Sequence, residues 1–448
     1  MTALKTMTGA PSTKKSDWDS IDWSKVKSQV KRMQMRIAKA IREKRVGKAK
    51  ALQRLLSSSF YTKLLAVKRV TENKGGKTAG VDKVIWKTPG QKIRAVQSLK
   101  RRSYETQPLR RVYIPKRNGK LRPLSIPTIK CRAMQALYLL GLEPIAETLA
   151  DPNSYGFRPK RSTADAIEQC FKLGAKDYSP QWILEGDIKS CFDKINHDWL
   201  LANIPMDKFI LRKWLKAGYV EEKVLYETKE GTPQGGIISP CILTMTLRGL
   251  EVAVKAAAKR ADKVNLVTYA DDFIVTGASK EVLEQTIKPV IESFLKDRGL
   301  ELSKEKTKIT HINDGYDFLG FNVRKYQKKL FIKPAKGRIN EFLASIRQSI
   351  KKNETIKTIE LIQHLNPRIR GWSNYYRHVV AKQTFQRVDH LILRALWNWS
   401  KRRHPDKTRW WIKDKYFRTS KGDRWVFHAR FLNEKYFEQE PGGLISKA

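Results

Sequence analysis

Val26, Val30, Met33, Ile37 and Ile41 recur at steps of four, three, four and four. That is the apolar stripe of an amphipathic helix, and it predicts helix within 25–54. The same segment holds 12 Lys and Arg against one acid, Glu43. So one-sided a charge suits either a solvated face or one turned toward a polyanion. Helical spacing returns over 131–150 and 160–175, and again over a Trp-rich region at 355–400. Elsewhere the period changes. Trp182-Ile183-Leu184-Glu185-Gly186-Asp187-Ile188, Leu266-Val267-Thr268-Tyr269 and Phe273-Ile274-Val275-Thr276 are rich in β-branched and aromatic residues and read as strands. Residues 110–124 read as a hairpin about Asn118-Gly119. Gly75 to Gly80 reads as a flexible Gly-rich loop without the spacing of a phosphate-binding P-loop. A basic stretch covers 320–352. No repeat with a period of 20 to 50 residues is present.

Composition changes this picture in one direction. The chain of 448 residues carries 90 Lys and Arg against 44 Asp and Glu, a net charge of +46. Such an excess is the footprint of a polyanion partner, with an anionic membrane surface as the alternative. The 12 Trp, 15 Tyr and 16 Phe favour nucleic acid, because rings among cations suit stacked bases. At this length two or three domains with real cores are expected. Cys131, Cys170, Cys191 and Cys241 form no C-x-x-C pair, so they read as small buried residues in a reducing compartment. Lys5, Lys14 and Lys15 interrupt any apolar leader. No apolar run approaches the roughly 18 residues of a membrane span. A cytoplasmic location and no membrane partner are expected.

The candidate chemistry lies at strand ends. Asp187 ends one apolar strand, and Asp271-Asp272 separates two others. Alone, an Asp pair in a turn is weak evidence, because Asp favours turns. Three carboxylates on neighbouring strand ends, however, suit two Mg²⁺ ions, which take a few carboxylate oxygens and complete their shells with phosphate. Two such ions about 4 Å apart stabilise the attacking and leaving oxygens of an in-line phosphoryl transfer. The hairpin arms add Lys116, Lys120 and Arg122, cations suited to a triphosphate. Gly231-Thr232-Pro233-Gln234-Gly235-Gly236 supplies glycines that let backbone approach a ligand closely.

Taken with Tyr269-Ala270-Asp271-Asp272, that loop resembles a reverse transcriptase palm. The resemblance extends further. Arg111-Val112-Tyr113-Ile114-Pro115-Lys116, Ser154-Tyr155-Gly156-Phe157-Arg158-Pro159, Asp187-Ile188-Lys189-Ser190-Cys191-Phe192 and Phe318-Leu319-Gly320-Phe321 look like successive blocks of the group II intron-encoded reverse transcriptases, in order, over roughly residues 25–430. The resemblance implies an α+β right-hand polymerase, fingers and palm with antiparallel sheet, then an α-helical thumb. It implies that Asp187, Asp271, Asp272 and the backbone carbonyl of Ile188 hold two Mg²⁺, with Mn²⁺ as a substitute. Lys116 and Arg122 match the residues that hold the dNTP triphosphate, and Gln234 the one beside the sugar and template. Phe192 matches the steric gate against a ribose 2′-hydroxyl, and Lys306 the lysine near the leaving pyrophosphate. Phe318, Leu319, Gly320 and Phe321 match the primer grip.

Arg368 to His378 resembles the maturase region of the same family, where cations interleave with aromatics as RNA binding requires. Trp372 and Tyr376, four apart, also fit a packing face, which leaves Arg370 and Arg377 outward as RNA-binding candidates. The tail at 401–430 holds 11 basic and 3 acidic residues and looks like the family's small DNA-binding region. The expected organisation is a disordered N-terminus at 1–17, fingers and palm at 18–335, thumb at 336–400 and the basic region at 401–448. Many relatives carry a C-terminal His-Asn-His endonuclease with cysteine pairs. Residues 431–448 contain neither cysteine nor histidine, so this chain is expected not to cut the second target strand. The partners implied are group II intron RNA in a ribonucleoprotein, target DNA and dNTPs, in a bacterial cytoplasm; oligomeric state is left open. Three rivals remain: an RNA-binding splicing factor with an unused polymerase, a domesticated reverse transcriptase, and an RNA-copying RNA polymerase, which Phe192 disfavours.

Overall fold

The computed structural model describes residues 18–115, 119, 121–420, 424–430 and 436–438. The expectation for 1–17, the hairpin tip and Lys116 lie outside the described residues. Three helices, Trp23–Arg42, Val46–Ser58 and Phe60–Glu72, pack on Ile129–Leu149, which is buried along most of its length. The first starts at Asp22, whose side chain accepts from the Lys25 N–H at 3.0 Å. Val26, Val30 and Ile37 are buried as the stripe requires. The predicted 25–54 helix is nevertheless two helices. Glu43 to Arg45 interrupts it, and Lys44 takes a left-handed φ of 57° that ends the first helix. Gly75 to Gly80 is also not a loose loop. Residues Lys74–Lys77 form a 3-10 turn, and the buried Arg132 guanidinium donates to the carbonyls of Gly75 and Thr78.

The first sheet holds β1 (Leu109–Pro115), β2 (Leu121–Ile126), β4 (Tyr219–Glu221) and β5 (Val224–Tyr226), in the order β2-β1-β4-β5. The second is the centre of the molecule. It orders β6 (Asn265–Tyr269), β7 (Asp272–Gly277), β3 (Trp182–Asp187) and β8 (Lys308–His311) as β6-β7-β3-β8, all antiparallel. Side chains alternate faces along a strand, so each central strand feeds two cores. Leu184, Leu266, Phe273 and Val275 join the core of the N-terminal helices. Ile183, Val267 and Ile274 join a second core with the C-terminal helices. Burial on both faces is why these strands read as continuous apolar runs.

A third sheet of β9 (Tyr316–Phe318), β10 (Phe321–Tyr326) and β11 (Lys329–Pro334) follows. Helices Lys336–Lys352, Thr358–Tyr376 and Lys382–Arg403 come next. Helix Arg409–Tyr416 and the strands β12 (Phe417–Ser420), β13 (Arg424–Arg430) and β14 (Tyr436–Glu438) follow, with Tyr416 and Phe427 packed on Trp399. The fold is α+β, as expected. Among the described residues no helix is long and apolar enough to cross a membrane.

Candidate functional site

The pairing of β3 with β7 sets Asp187 opposite Asp272 in register. Tyr269 pairs with the same Asp272 across β6 and β7, leaving Ala270 and Asp271 as a two-residue turn. Ala270 takes φ +59°, a left-handed conformation at the first turn position that costs a residue with a Cβ about 1 kcal/mol or more. The Ile188 N–H donates to the Asp271 carbonyl at 3.3 Å, tying the two acidic segments together. The Ile188 side chain itself is buried.

Charge is unbalanced here. Enclosure by protein, then the neighbouring Asp271 and Asp187 carboxylates, push the Asp272 carboxyl up to about 7. Its side chain still reaches solvent, so the rise comes from the crowded carboxylates and low-dielectric walls around an open mouth. Asp271 is raised chiefly by burial, with Lys306 and Arg122 opposing the rise. Lys306 Nζ lies 2.7 Å from Asp187 Oδ2. Among the described residues no three His, Cys, Asp or Glu close into a cage that would hold a metal unaided. An all-carboxylate donor set nevertheless fits hard cations that bring phosphate and water as further ligands.

The acidic turn rests on a segment whose part the sequence did not reveal. The Tyr155 N–H donates to the Thr268 carbonyl at 2.9 Å, and the Thr268 N–H to the Asn153 carbonyl at 2.9 Å. A Cβ on Gly156 would stand 2.1 Å from the Ala270 nitrogen. Gly156 is therefore the floor of the turn. Arg158 fixes this segment, donating to both Glu147 carboxylate oxygens at 2.9 and 2.7 Å and to the Asp151 and Ser154 carbonyls. Its presence beside the turn was visible in the Ser154 to Pro159 motif, but its buried ion pair was not.

On the other side, Phe192 is half-buried, its ring 6.1 Å from that of Phe157 at 68°. Gln234 donates to Asp193 Oδ2 at 2.8 Å, and its carbonyl accepts from the Ser125 N–H at 2.8 Å. The Gly231 and Thr232 N–H groups bond the Ile195 and Phe192 carbonyls. Gly231, at φ +84°, could carry no Cβ, because one would stand 2.6 Å from the Asp193 backbone. The glycine loop thus clasps the Phe192 turn. Arg122 is exposed and lines a cleft of about 1010 Å³ with Leu319, Gly320, Arg338, Arg368 and Tyr375.

Of the predicted primer-grip residues, Leu319 and Gly320 line the same cleft. Phe318 and Phe321 are buried, while Leu319 and Gly320 turn between β9 and β10 at φ +53° and +84°. The Tyr375 and Tyr376 hydroxyls donate to the carbonyls of Leu319 and Gly320 at 2.7 and 3.2 Å. The Phe321 ring stacks on Tyr375 at 5.2 Å. Trp372 stacks on Phe342 at 4.6 Å, so the aromatic face packs inward, and Arg370 and Arg377 are exposed. Arg370 and Arg377 do not line the described cleft, whereas Arg338 and Arg368 do. Sequence spacing had no means to single out those two.

Comparison with known proteins agrees with this geometry. The model for "Reverse transcriptase (RNA-dependent DNA polymerase)" matches residues 114–323, and that for "N-terminal domain of reverse transcriptase" matches 18–99. "Group II intron, maturase-specific domain" matches 339–417. Protein YkfC of Escherichia coli (strain K12) is 36% identical over 318 residues, covering 60% of this chain and 82% of the relative. Group II intron-encoded protein LtrA of Lactococcus lactis subsp. cremoris is 29% identical over 419 residues, covering 72% of this chain and 69% of the relative. Among solved structures, that of telomerase from Candida albicans with a fragment of telomeric RNA overlaps loosely, at TM-score 0.39 and 14% identity over 69% of this chain and 64% of that one. The chain belongs to the family of group II intron-encoded reverse transcriptases and maturases, and is an RNA-directed DNA polymerase.

Proposed function

We propose that this chain copies the RNA of its own group II intron into DNA from a primer in the target DNA, and that it binds the same RNA to help it fold and splice. The observation that carries the polymerase reading is the register of Asp187 with Asp272, with Asp271 in the adjoining turn, beside Arg122 and the 318–321 turn. Asp187, Asp271, Asp272 and the Ile188 carbonyl would hold two Mg²⁺, or Mn²⁺ in their place. Bound there, the ions would neutralise charge on the attacking and leaving oxygens of phosphoryl transfer. The chain's own contribution is position and charge. Arg122 and Lys116 hold the triphosphate of a dNTP. Phe192, set by the clasp of the glycine loop, blocks a ribose 2′-hydroxyl. Gln234, oriented by Asp193, lies by the sugar. Residues 318–321 seat the primer end. Lys306 exchanges Asp187 for the leaving pyrophosphate. No covalent intermediate is needed, since holding the reactants in line accounts for much of the barrier.

The test is primer extension on an RNA template with Mg²⁺ and dNTPs, with Asp271→Asn beside wild type. Wild type extends and the variant does not, while RNA affinity stays within a few fold, because one acid matters little to a chain of net charge +46. No extension by either, with tight RNA binding kept, would replace this reading with that of a splicing factor whose polymerase is silent.

A further inference from the structure

Asp187, Asp271 and Asp272 already repel one another. A fourth acid, Glu185, stands two residues before Asp187 and on the same face of β3. Glu185 and Glu251 are the buried acids among the described residues. A buried carboxylate is costly unless donors surround it, and Glu185 has three. Lys308 Nζ lies 3.2 Å from its Oε1, and the Thr310 hydroxyl donates to the same atom at 3.2 Å. Both donors stand on β8, the neighbouring strand of the sheet. The third is the Asp317 backbone N–H, and it comes from β9.

That third bond crosses between sheets. β9 pairs with β10 and, among the described residues, with no strand of the central sheet. Far from the acids the two sheets meet where the Lys325 N–H donates to the Ile312 carbonyl at 3.0 Å. Ile312 follows His311, which pairs with Trp182 at the opposite end of β3 from Asp187. Nearer the acids the link is Glu185. Tyr316 and Phe318 also bury their rings in one core with Ile183 and Ile274. Apolar packing is non-directional, so it holds β9 against the central sheet without fixing how far it slides along β3. A hydrogen bond to a side chain rooted on β3 does fix it. The Asp317 side chain is engaged elsewhere, accepting from Asn322 Nδ2 at 2.8 Å.

We propose that Glu185 is a positioning residue, whose carboxylate sets the 318–321 turn, and the primer end seated there, at a fixed offset from Asp187. The proposal rests on the reading of the three acids as the polymerase centre and of 318–321 as the primer grip, and it adds the part that joins them. Asp317 immediately precedes Phe318, and Glu185 stands two residues from Asp187, so few rotatable bonds separate the turn from the acid. Glu185, Asp187 and Asp272 line one cavity, of about 300 Å³, together with Phe318, Leu319 and Gly320. The span across that cavity is set by the length of one Glu side chain. Donors already engage the carboxylate, so it holds the turn rather than a metal ion, and it works by reach rather than by charge.

The experiment compares the full chain as wild type, Glu185→Gln and Glu185→Asp in extension of a DNA primer on an RNA template. For each it measures kcat, KM for primer–template, KM for dNTP, Mg²⁺ dependence and urea unfolding. Gln keeps the length and an acceptor oxygen but loses the charge. Asp keeps the charge but is one methylene too short to reach β9. Glu185→Gln stays within about threefold of wild type in kcat and in KM for primer–template. Glu185→Asp loses about tenfold in kcat, as a shift of about half an ångström implies where about 1 Å costs on the order of 100-fold. Its KM for primer–template rises about threefold or more, while its KM for dNTP stays within about twofold, because Arg122 is untouched. Glu185→Gln losing as much as Glu185→Asp would overturn the proposal, since charge and not reach would then be the working property. A raised Mg²⁺ requirement in Glu185→Gln would make Glu185 a metal ligand and overturn it too. Glu185→Asp unfolding at lower urea, yet with wild-type kcat and KM, would reduce the residue to a contact of the fold and overturn it as well. Failure of the underlying reading looks different: Asp271→Asn, run alongside, would extend the primer, and this proposal would fall with that reading.

Discussion

Gly156→Ala is the substitution that most directly questions the account of the acidic turn. The added Cβ would lie 2.1 Å from the Ala270 nitrogen, 2.7 Å from the Tyr269 carbonyl carbon and 2.9 Å from the Ala270 Cα. These are backbone atoms, so no side chain can swing aside. Contacts under 3.0 Å are essentially never tolerated, so the turn or the segment beneath it must move by about 0.9 Å or more. The segment is held by Arg158 and by two backbone bonds to Thr268, whereas the turn is a two-residue tip already strained at Ala270. The turn yields, and Asp271 moves with it. A misplacement of about 1 Å at a reacting centre costs on the order of 100-fold in rate, or about 2.7 kcal/mol of barrier. Overpacking costs roughly 1–3 kcal/mol of stability, less than the about 5–15 kcal/mol that holds a typical native fold. The assay is steady-state dTTP incorporation on poly(rA) primed with oligo(dT), alongside thermal unfolding and RNA affinity. The variant remains folded, binds RNA within about twofold of wild type, and loses about 100-fold in kcat at saturating template. A kcat within threefold of wild type would refute the reasoning, since it would mean the turn can shift without disturbing the acids.

Phe192→Ala should raise use of rNTP over dNTP by on the order of 10- to 100-fold, measured as a ratio of kcat/KM; equal selectivity would remove the gate from Phe192. Tyr376→Phe removes the hydroxyl that donates to the Gly320 carbonyl and should cost about 0.5–1.5 kcal/mol in denaturant unfolding while raising KM for primer–template. An unchanged KM would uncouple the aromatic cluster from the 318–321 turn. The Asp272 carboxyl is raised above its unfolded value, so the metal-free fold loses stability as pH climbs from the ordinary carboxylate range toward about 7. Asp272→Asn should therefore unfold at higher urea than wild type at pH 8 in EDTA, and no higher at pH 4; a difference that does not depend on pH would count against carboxylate crowding.

The sequence disclosed the acids, the strands that carry them and the order of the motifs, because these depend on local periodicity and on residue types few other chemistries need. Val267 and Ile274 could be read as strand interior, but not that they belong to a different core from Leu266 and Phe273. That follows from helices far along the chain on either side, such as Phe60–Glu72 before them and Lys336–Lys352 after. The helix break at Lys44 escaped because Glu43, Lys44 and Arg45 are all sound helix formers. Arg132 holding the Gly75 loop and Arg158 holding the acidic turn escaped because a lone arginine in sequence reads as surface charge.

Backbone strain shows what this site asks of the rest of the molecule. Phe157, Ser190, Ala270 and Leu319 all take positive φ without being glycine. Each stands within one of the motifs around the cleft: beside the floor of the turn, ahead of Phe192, within the acidic turn and in the 318–321 turn. At roughly 1–3 kcal/mol apiece, such conformations persist only where surroundings over-determine them. The surroundings do so here. The Asp193 N–H bonds the Ser190 carbonyl at 2.8 Å, and the Tyr375 hydroxyl bonds that of Leu319 at 2.7 Å. Gly156 presses on Ala270, and Phe157 leans on Phe192. A glycine at any of these four positions would relieve the strain but widen the set of backbone states. Rigid placement of four short segments, taken from four distant parts of the chain, is what holding a primer end, a triphosphate and three repelling carboxylates in line requires.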